Sequence, residues 1–389
     1  MADALSNDGL FLRNDAAVRL YHEIAARLPI VDYHCHLDPL VIAENEPLDD
    51  IVSLWIAGDP YKWRAMRING IPERFITGDA SPEEKFNAWA ETVPRLVGNP
   101  LFHWSTMELR TFFGVEEVLT PQNAKRIHRI CEEHLSTGDV TPQSLLRDAN
   151  VEMICTSDAW TDSLSSHKDI SEKASGLSVL PSLRADQALA VDSSDYRGFL
   201  KELSKVAGIE ICDWESFQAA CIARLDCFDS SGCRMMDIGL DDAEFHGVNK
   251  DMARRLFSMV LADERLSHEE VASLRSAILV FLGTECAKRQ WILQLHIGAQ
   301  RRTSSRLREL SGPAGGYACI GSSQPIKPLC TFLDTLERQA LLPRTILYPL
   351  NPSDTEMLAS LSGSFAEDGV PGKIQLGPAW WYNDHADGI

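Results

Sequence analysis

This sequence of 389 residues lacks several features that would assign it to a membrane or secreted class. It has no apolar run that approaches the length needed to span a bilayer. The first residues, MADALSNDGLFLRNDA, contain no basic stretch followed by an apolar one, so a secretory signal is not expected. The ten cysteines include no CxxC pair, which predicts reduced thiols in a cytoplasmic protein.

Positive charge is also scarce. Lys and Arg number 37 against 56 Asp and Glu, which gives a formal net charge of −19. We therefore expect no nucleic acid and no anionic membrane surface as a partner, and a negatively charged substrate would need arginines placed locally. The sequence has no Walker loop, no Rossmann glycine fingerprint after a strand and no G-x-S-x-G elbow, the motifs of three large enzyme classes.

What the sequence does contain is a series of short apolar segments, rich in β-forming residues and separated by helical stretches. Seven of them have the composition of buried strands: 28–36, 151–157, 177–182, 232–240, 291–298, 344–351 and 373–382. Strands that alternate with helices predict an α/β fold with a parallel sheet and right-handed crossovers.

Residues 37–150 hold no convincing strand, and we interpret them as a helical insertion within a single domain of residues 1–389. Helix starts are recognisable in this segment. Ser81 and Glu84 have the spacing of a capping box. Thr120, followed by a proline, precedes a second helical stripe.

Histidines stand at the ends of two predicted strands. His34 and His36 are two residues apart at the end of the first, so both imidazoles could face one cavity and share a metal. His296 ends the fifth strand, at the rim where barrel enzymes carry their active sites. The alternative for all three is a packed structural histidine.

Other polar and aromatic residues follow predicted strands or lie in the insertion. Arg184, after the third strand, could clamp a carboxylate through two parallel hydrogen bonds, although a solvated loop arginine is the common alternative. Asp158 and Asp237 could be bases or supporting groups, with helix capping as the alternative for Asp158. Tyr61 lies in the insertion, and Trp380 would line a pocket or pack in the core.

Several longer stretches identify a family. The chain resembles the uronate (glucuronate) isomerases over essentially its whole length, in PIVDYHCHLDP, YKWRAMRINGI, GNPLFHW, QLHIGAQR, TILYPLNPSD and PGKIQLGPAWWYND. The resemblance implies a (β/α)8 TIM-type barrel of the amidohydrolase superfamily. It also implies interconversion of D-glucuronate with D-fructuronate and of D-galacturonate with D-tagaturonate.

The resemblance further implies roles for individual residues and a divalent metal, expected to be zinc. His34 and His36 match metal ligands, and His296 and Tyr61 match catalytic residues. Arg184, Arg301 and Trp380 match positions that contact the substrate, a small hexuronate. A homo-oligomer is compatible with the family.

The sequence also departs from the family pattern. The family supplies an aspartate, followed shortly by an arginine, from an eighth strand that has no counterpart among the seven segments, so we expect a barrel truncated after strand seven. Pro60 and Ile238 stand where the family has histidines, and residues 156–160 read TSDAW in place of T-x-D-D-P. Two alternatives therefore stay open: a metal-dependent hydrolase on the same scaffold, and a truncated, inactive family member.

Overall fold

The computed structural model describes residue 12 and residues 14–173, 176–247 and 249–384. The strands in these residues are β1 Ile30–Asp32, β2 Val151–Cys155, β3 Ser178–Leu180, β4 Leu183–Arg184, β5 Met235–Leu240, β6 Ile292–Ile297, β7 Ala299–Gln300, β8 Cys319–Ile320, β9 Thr345–Pro349 and β10 Ile374–Leu376.

The helices up to β5 are α1 Asp15–Glu23, α2 Pro39–Glu44, α3 Ile51–Trp55, α4 Pro60–Ile68, α5 Pro82–Thr92, α6 Pro100–Phe113, α7 Ala124–Leu135, α8 Pro142–Asp148, α9 Ser165–Lys173, α10 Asp186–Leu189, α11 Tyr196–Ala207 and α12 Trp214–Ser230. After β5 follow α13 Lys250–Leu261, α14 His268–Arg289, α15 Ser305–Ser311, α16 Ile326–Glu337 and α17 Thr355–Ser362. No helix in the described residues is long and apolar enough to cross a membrane.

The predicted parallel sheet is confirmed. Apart from the antiparallel pair β7–β8, the strands of the described residues form two parallel sheets, one with the order β1-β2-β3 and the other with the order β10-β9-β6-β5-β4. A parallel bridge between Asp158 and Leu183 links them, because the chain leaves the first sheet at β3 and enters the second at β4. Within the described residues no ladder joins β1 to β10, so closure into a barrel and truncation after strand seven both stay predictions.

The strands are shorter than the predicted segments, and two of them end before the site residues that were placed on them. The first ends at Asp32, so His34 and His36 lie in the loop that follows β1, and the argument from strand alternation does not hold for them. The last ends at Leu376, because Pro378 has no N–H for a ladder. Trp380 therefore lies beyond the strand, immediately before a 3₁₀ turn at Trp381–Asn383.

Between β1 and β2 the described chain is helical and contains α2 to α8. This segment buries a core of its own, to which Phe86 and Trp89 of α5 contribute fully buried rings. The capping box is confirmed, with Ser81 and Glu84 exchanging side chain–backbone hydrogen bonds. The helical stripe predicted after Thr120 is confirmed as α7, which begins at Ala124; the N–H of Thr120 donates to Asn123 Oδ1 in the turn before it.

The largest core lies between the strands and the helices that follow them. Leu293 and Leu295 of β6 are buried in this core together with side chains of α14. Since side chains alternate along a strand, Gln294 and His296 point to the opposite face. The same alternation in β5 places Ile238 in the core and directs Asp237 away from it.

Candidate active site

The inner faces of the central strands bring the polar side chains together. In the register of the second sheet, His296 of β6 lies between Gly239 of β5 and Tyr348 of β9. Asp237 of β5 stands beside Arg184 of β4. Because neighbours in register point to the same face of a sheet, these side chains share one surface near the carboxyl ends of the strands.

His34, Asp237 and His296 form a compact cluster on that surface, in which the possible ligand atoms all lie within 4.8 Å of one another. His296 Nε2 is 2.8 Å from Asp237 Oδ1, and the ring centroids of His34 and His296 are 4.7 Å apart. His34 Nδ1, Asp237 Oδ1 and His296 Nε2 are buried without a well-aligned hydrogen bond within the described chain. Two imidazole nitrogens and a carboxylate oxygen left without such partners fit a divalent metal of the zinc type.

His36 does not belong to this cluster within the described residues, although its ring centroid is 5.1 Å from that of His34. Its role as a metal ligand stays a prediction. The residue that the structure adds is Asp237, which the sequence offered only as a base or supporting group. The signal that could have found it is a lone charged residue between the buried Met236 and Ile238 of a strand.

Charges around the cluster set its protonation. Burial would raise the pKa of Asp237, but the contact with His296 and the charges of His296, His34 and Arg184 lower it to about 2. Burial lowers the pKa of His34 to about 4, against the opposing effect of Asp237. The pKa of His36 is also lowered, by burial and then by the charge of Arg184. At neutral pH the cluster therefore presents a carboxylate and a neutral His34, the forms that bind metals.

The two predicted substrate arginines lie at the same strand ends. Arg184 Nε donates to Asp186 Oδ2 at 3.1 Å, and Arg301 Nε donates to Asp241 Oδ1 at 3.0 Å. A Cβ at Gly239 would lie 2.6 Å from Arg301 Nη2 and 2.7 Å from Asp186 Oδ1. Because Gly239 has no side chain, Asp186, the partner of Arg184, and Arg301 can both approach its backbone.

Tyr61 and Trp380 belong to an aromatic group at the rim. Tyr61 of α4 stacks on Trp381 with ring centroids 4.1 Å apart, and Trp380 packs against the group that contains Tyr348. Burial and then the charge of Asp59 raise the pKa of Tyr61 to about 12, while the charge of Arg301 lowers it. Tyr61 is therefore a protonated phenol within electrostatic reach of Arg301.

A cavity of about 470 Å³ opens beside His36, between the loop after β1 and the loop after β2. Its lining includes Asp158 and His167, both almost completely buried. Thr156 Oγ1 donates to Asp158 Oδ2 at 2.7 Å and lies 2.8 Å from His167 Nε2. Asp158 also accepts the Ser182 N–H at 3.2 Å, so it ties β2 to the β3–β4 connection and does not cap a helix.

Known proteins are similar to this chain in sequence. A family model described as "Glucuronate isomerase" matches residues 1–389. The uronate isomerase of Bacillus licheniformis is 43% identical over 98% of this chain and 81% of its own length. That of Haemophilus influenzae is 39% identical over 98% of this chain and 83% of its own.

Solved structures agree with these relatives. The crystal structure of uronate isomerase from Thermotoga maritima superposes with a TM-score of 0.93 at 31% identity, over 98% of this chain and 82% of that one. Glucuronate isomerase from Caulobacter crescentus superposes with a TM-score of 0.89 at 24% identity, which shows a shared fold. Sequence and structure together favour the isomerases over the hydrolase alternative and confirm the resemblance. The chain belongs to the glucuronate isomerase family.

Proposed function

We propose that this enzyme interconverts D-glucuronate with D-fructuronate and D-galacturonate with D-tagaturonate. The observation that supports this proposal within the family is the convergence of His34, Asp237 and His296 beside Arg184 and Arg301. The cluster can act on a carbonyl and its neighbouring hydroxyl, while the arginines can hold a carboxylate at the other end of the sugar.

Aldose–ketose isomerisation moves a proton between C2 and C1 and another between the two oxygens. We propose that His296 moves the carbon-bound proton, because the adjacent Asp237 carboxylate would stabilise the imidazolium that forms. Tyr61 keeps its proton at neutral pH, since its pKa is about 12, and it can donate to a substrate oxygen. Side chains placed for such transfers contribute about 10²–10⁴-fold to the rate.

A divalent ion, expected to be zinc, would be held by His34 and Asp237, with His36 as a further predicted ligand, which leaves His296 for proton transfer. When bound, it would polarise the oxygens of the substrate. The protein's own contribution is to hold two imidazoles and a carboxylate at short range, in a buried position where their charges act strongly.

The carboxylate of the substrate should face the arginines. The cavity beside His36 carries Asp38, Asp158 and Asp162 in its lining and would repel an anion. Arg184 and Arg301 are each about one-third exposed and lie near the cluster. The family resemblance assigns both arginines to substrate binding. We infer that Trp380 forms an apolar wall at this end, next to the group of Tyr348.

The experiment for this proposal is Arg184→Met, assayed with D-glucuronate and with a neutral aldose such as D-glucose. Losing a charge-assisted pair should lower kcat/KM for the uronate about 10- to 100-fold and that for the neutral sugar much less. A matched control is Arg275→Met, since Arg275 of α14 is similarly exposed and is paired with Asp192 in the turn between α10 and α11. Equal losses on both sugars in the Arg184 variant would contradict the clamp.

We also propose that the two linked parallel sheets form part of a (β/α)8 barrel of the amidohydrolase superfamily, with residues 37–150 as a helical insertion. A cytoplasmic location is supported by ten free cysteines. A homo-oligomer remains a prediction that sedimentation would test.

A further inference from the structure

We propose that Tyr348 is a positioning residue for His296, an inference that rests on the proposed role of His296 in isomerisation. Tyr348 of β9 is the register neighbour of His296 on β6. Their rings stack face to face, with centroids 4.2 Å apart and an interplanar angle of 4°. Tyr348 is 4% exposed, so the stack lies inside the protein and is not a surface contact.

Two features hold the Tyr348 ring in place. Its hydroxyl donates to Oε1 of the fully buried Gln294 at 3.3 Å, and burial raises its pKa far enough to keep it a donor. At Gly377, a Cβ would lie 2.5 Å from Tyr348 Cδ1 and 2.6 Å from Cε1. The Tyr348 ring therefore has His296 on one face and the backbone of Gly377 along the edge that contains Cδ1 and Cε1, and its hydroxyl is hydrogen-bonded to Gln294.

A face-to-face stack fixes the plane of the imidazole while leaving its ring nitrogens, which lie at the ring edge, free for other partners. The 2.8 Å approach of His296 Nε2 to Asp237 Oδ1 depends on that plane. An imidazole without the stack could rotate about its bond to Cβ and lose the alignment. A displacement of about 1 Å in a catalytic group can cost about 10²-fold in rate.

The first test compares Tyr348→Leu with Tyr348→Phe. The leucine variant should lose about 10²-fold in kcat with little change in KM, because the imidazole is misaligned while the substrate arginines are untouched. The phenylalanine variant keeps the stacked ring and should recover most of that loss. Equal losses in both variants, or no loss in the leucine variant, would overturn the proposal.

A second variant reaches the same ring from the other side. Gly377→Ala places a methyl group where the Tyr348 ring lies, so it should lower kcat in the same way without touching His296. The matched control is Tyr196→Leu, since Tyr196 is similarly buried but lies in the largest core, between the strands and the helices that follow them. This control should lose stability and keep its kcat. A Gly377→Ala enzyme with full kcat would contradict the enclosure of the ring.

Failure of the positioning role can be separated from failure of the isomerase assignment by a measurement that needs no turnover. In ¹⁵N-labelled protein, the ring protons of His296 should be shifted upfield by the stacked phenol. The shift should persist in Tyr348→Phe and disappear in Tyr348→Leu. If wild-type protein shows this pattern but no uronate turnover, the proposed function is wrong and the stack is real. A His296 resonance identical in all three proteins would overturn the proposal itself.

Discussion

Two histidines in this protein are packed against buried aspartates. His296 Nε2 lies 2.8 Å from Asp237, and His167 Nε2 lies 3.6 Å from Asp158. In the second pair the hydroxyl of Thr156 lies between the two side chains and serves both. In the first pair no side chain within the described chain plays that part, and the facing atoms are left for another ligand.

The pKa values of the two aspartates are shifted in opposite directions. The pKa of Asp237 falls to about 2 despite its burial, because His296, His34 and Arg184 supply positive charge. The pKa of Asp158 rises to about 6, because burial outweighs its hydrogen bonds. Identical residue types therefore make a charged group whose facing atoms lack another side-chain partner in one place, and a pair joined through the hydroxyl of Thr156 in the other. What separates them is which neighbours satisfy their polar atoms.

The difference between the two pairs is tested most directly by changing each aspartate to asparagine. Asp237→Asn should lower kcat for uronate isomerisation by about 10²–10⁴-fold, because the amide cannot stabilise a protonated His296. Asp158→Asn should leave kcat nearly unchanged and lower the free energy of unfolding. Steady-state kinetics and urea unfolding on both variants decide the matter. Similar kinetic losses in the two variants would show that the pairs are not functionally distinct.

Metal affinity compares the two histidine environments directly. His34→Asn removes one of the proposed ligands and should weaken Zn²⁺ binding by at least about tenfold. His167→Asn should leave Zn²⁺ binding as in the wild type, because His167 is bonded to Thr156. Calorimetric titration of metal-free protein with Zn²⁺ measures both. Unchanged affinity in the His34 variant would rule out the cluster as the metal site.

The pH dependence of stability gives the smallest expected effect. Asp158 has a folded pKa of about 6, above its ordinary 3.8, so its contribution is full below about pH 4 and lost as the pH rises to 6. His167 has a folded pKa of about 4, below 6.5, so its contribution is full above pH 6.5 and lost as the pH falls to 4. These opposite slopes largely cancel in the wild type.

Asp158→Asn removes only the first slope. Whatever the offset between the two proteins, the free energy of unfolding of the variant relative to the wild type should therefore rise by about 2 kcal/mol from pH 4 to pH 6.5. Urea unfolding of both proteins at several pH values in this range measures the difference. The carboxylates of Asp162 and Asp38 also raise the pKa of Asp158, so the comparison is best made at constant ionic strength. Parallel pH profiles would show that the fold does not raise the pKa of Asp158.

The positions of seven strands were predictable from sequence, because each of them is a short apolar run and such runs are local signals. The ends of strands were less predictable. The run from Ile30 continues as Tyr33 and His34, yet pairing with β2 stops at Asp32. The two-residue strands β7 and β8 have no sequence pattern at all, since their pairing brings Gln300 together with Cys319 across a long loop.

The site residues likewise fall into those that local sequence patterns predict and those that depend on the pairing of strands. His34 and His296 were found because each closes an apolar run, and Arg184 because an acidic protein needs a local cation for an anionic substrate. The place of Asp237 in the cluster depends on its register within the sheet, which a single sequence does not contain. Tyr348 was invisible for the same reason, since its partnership with His296 exists only between neighbouring strands.

The linkage between the two sheets has a consequence for how the protein is held together. His34 follows a strand of one sheet, whereas Asp237 and His296 belong to the other. An ion bound by His34 and Asp237 would act as a cross-link that closes a loop of roughly 200 residues, and such closures restrict the unfolded chain. A ligand that binds only the folded state stabilises that state. The metal ion that takes part in catalysis would therefore also hold the two sheets together.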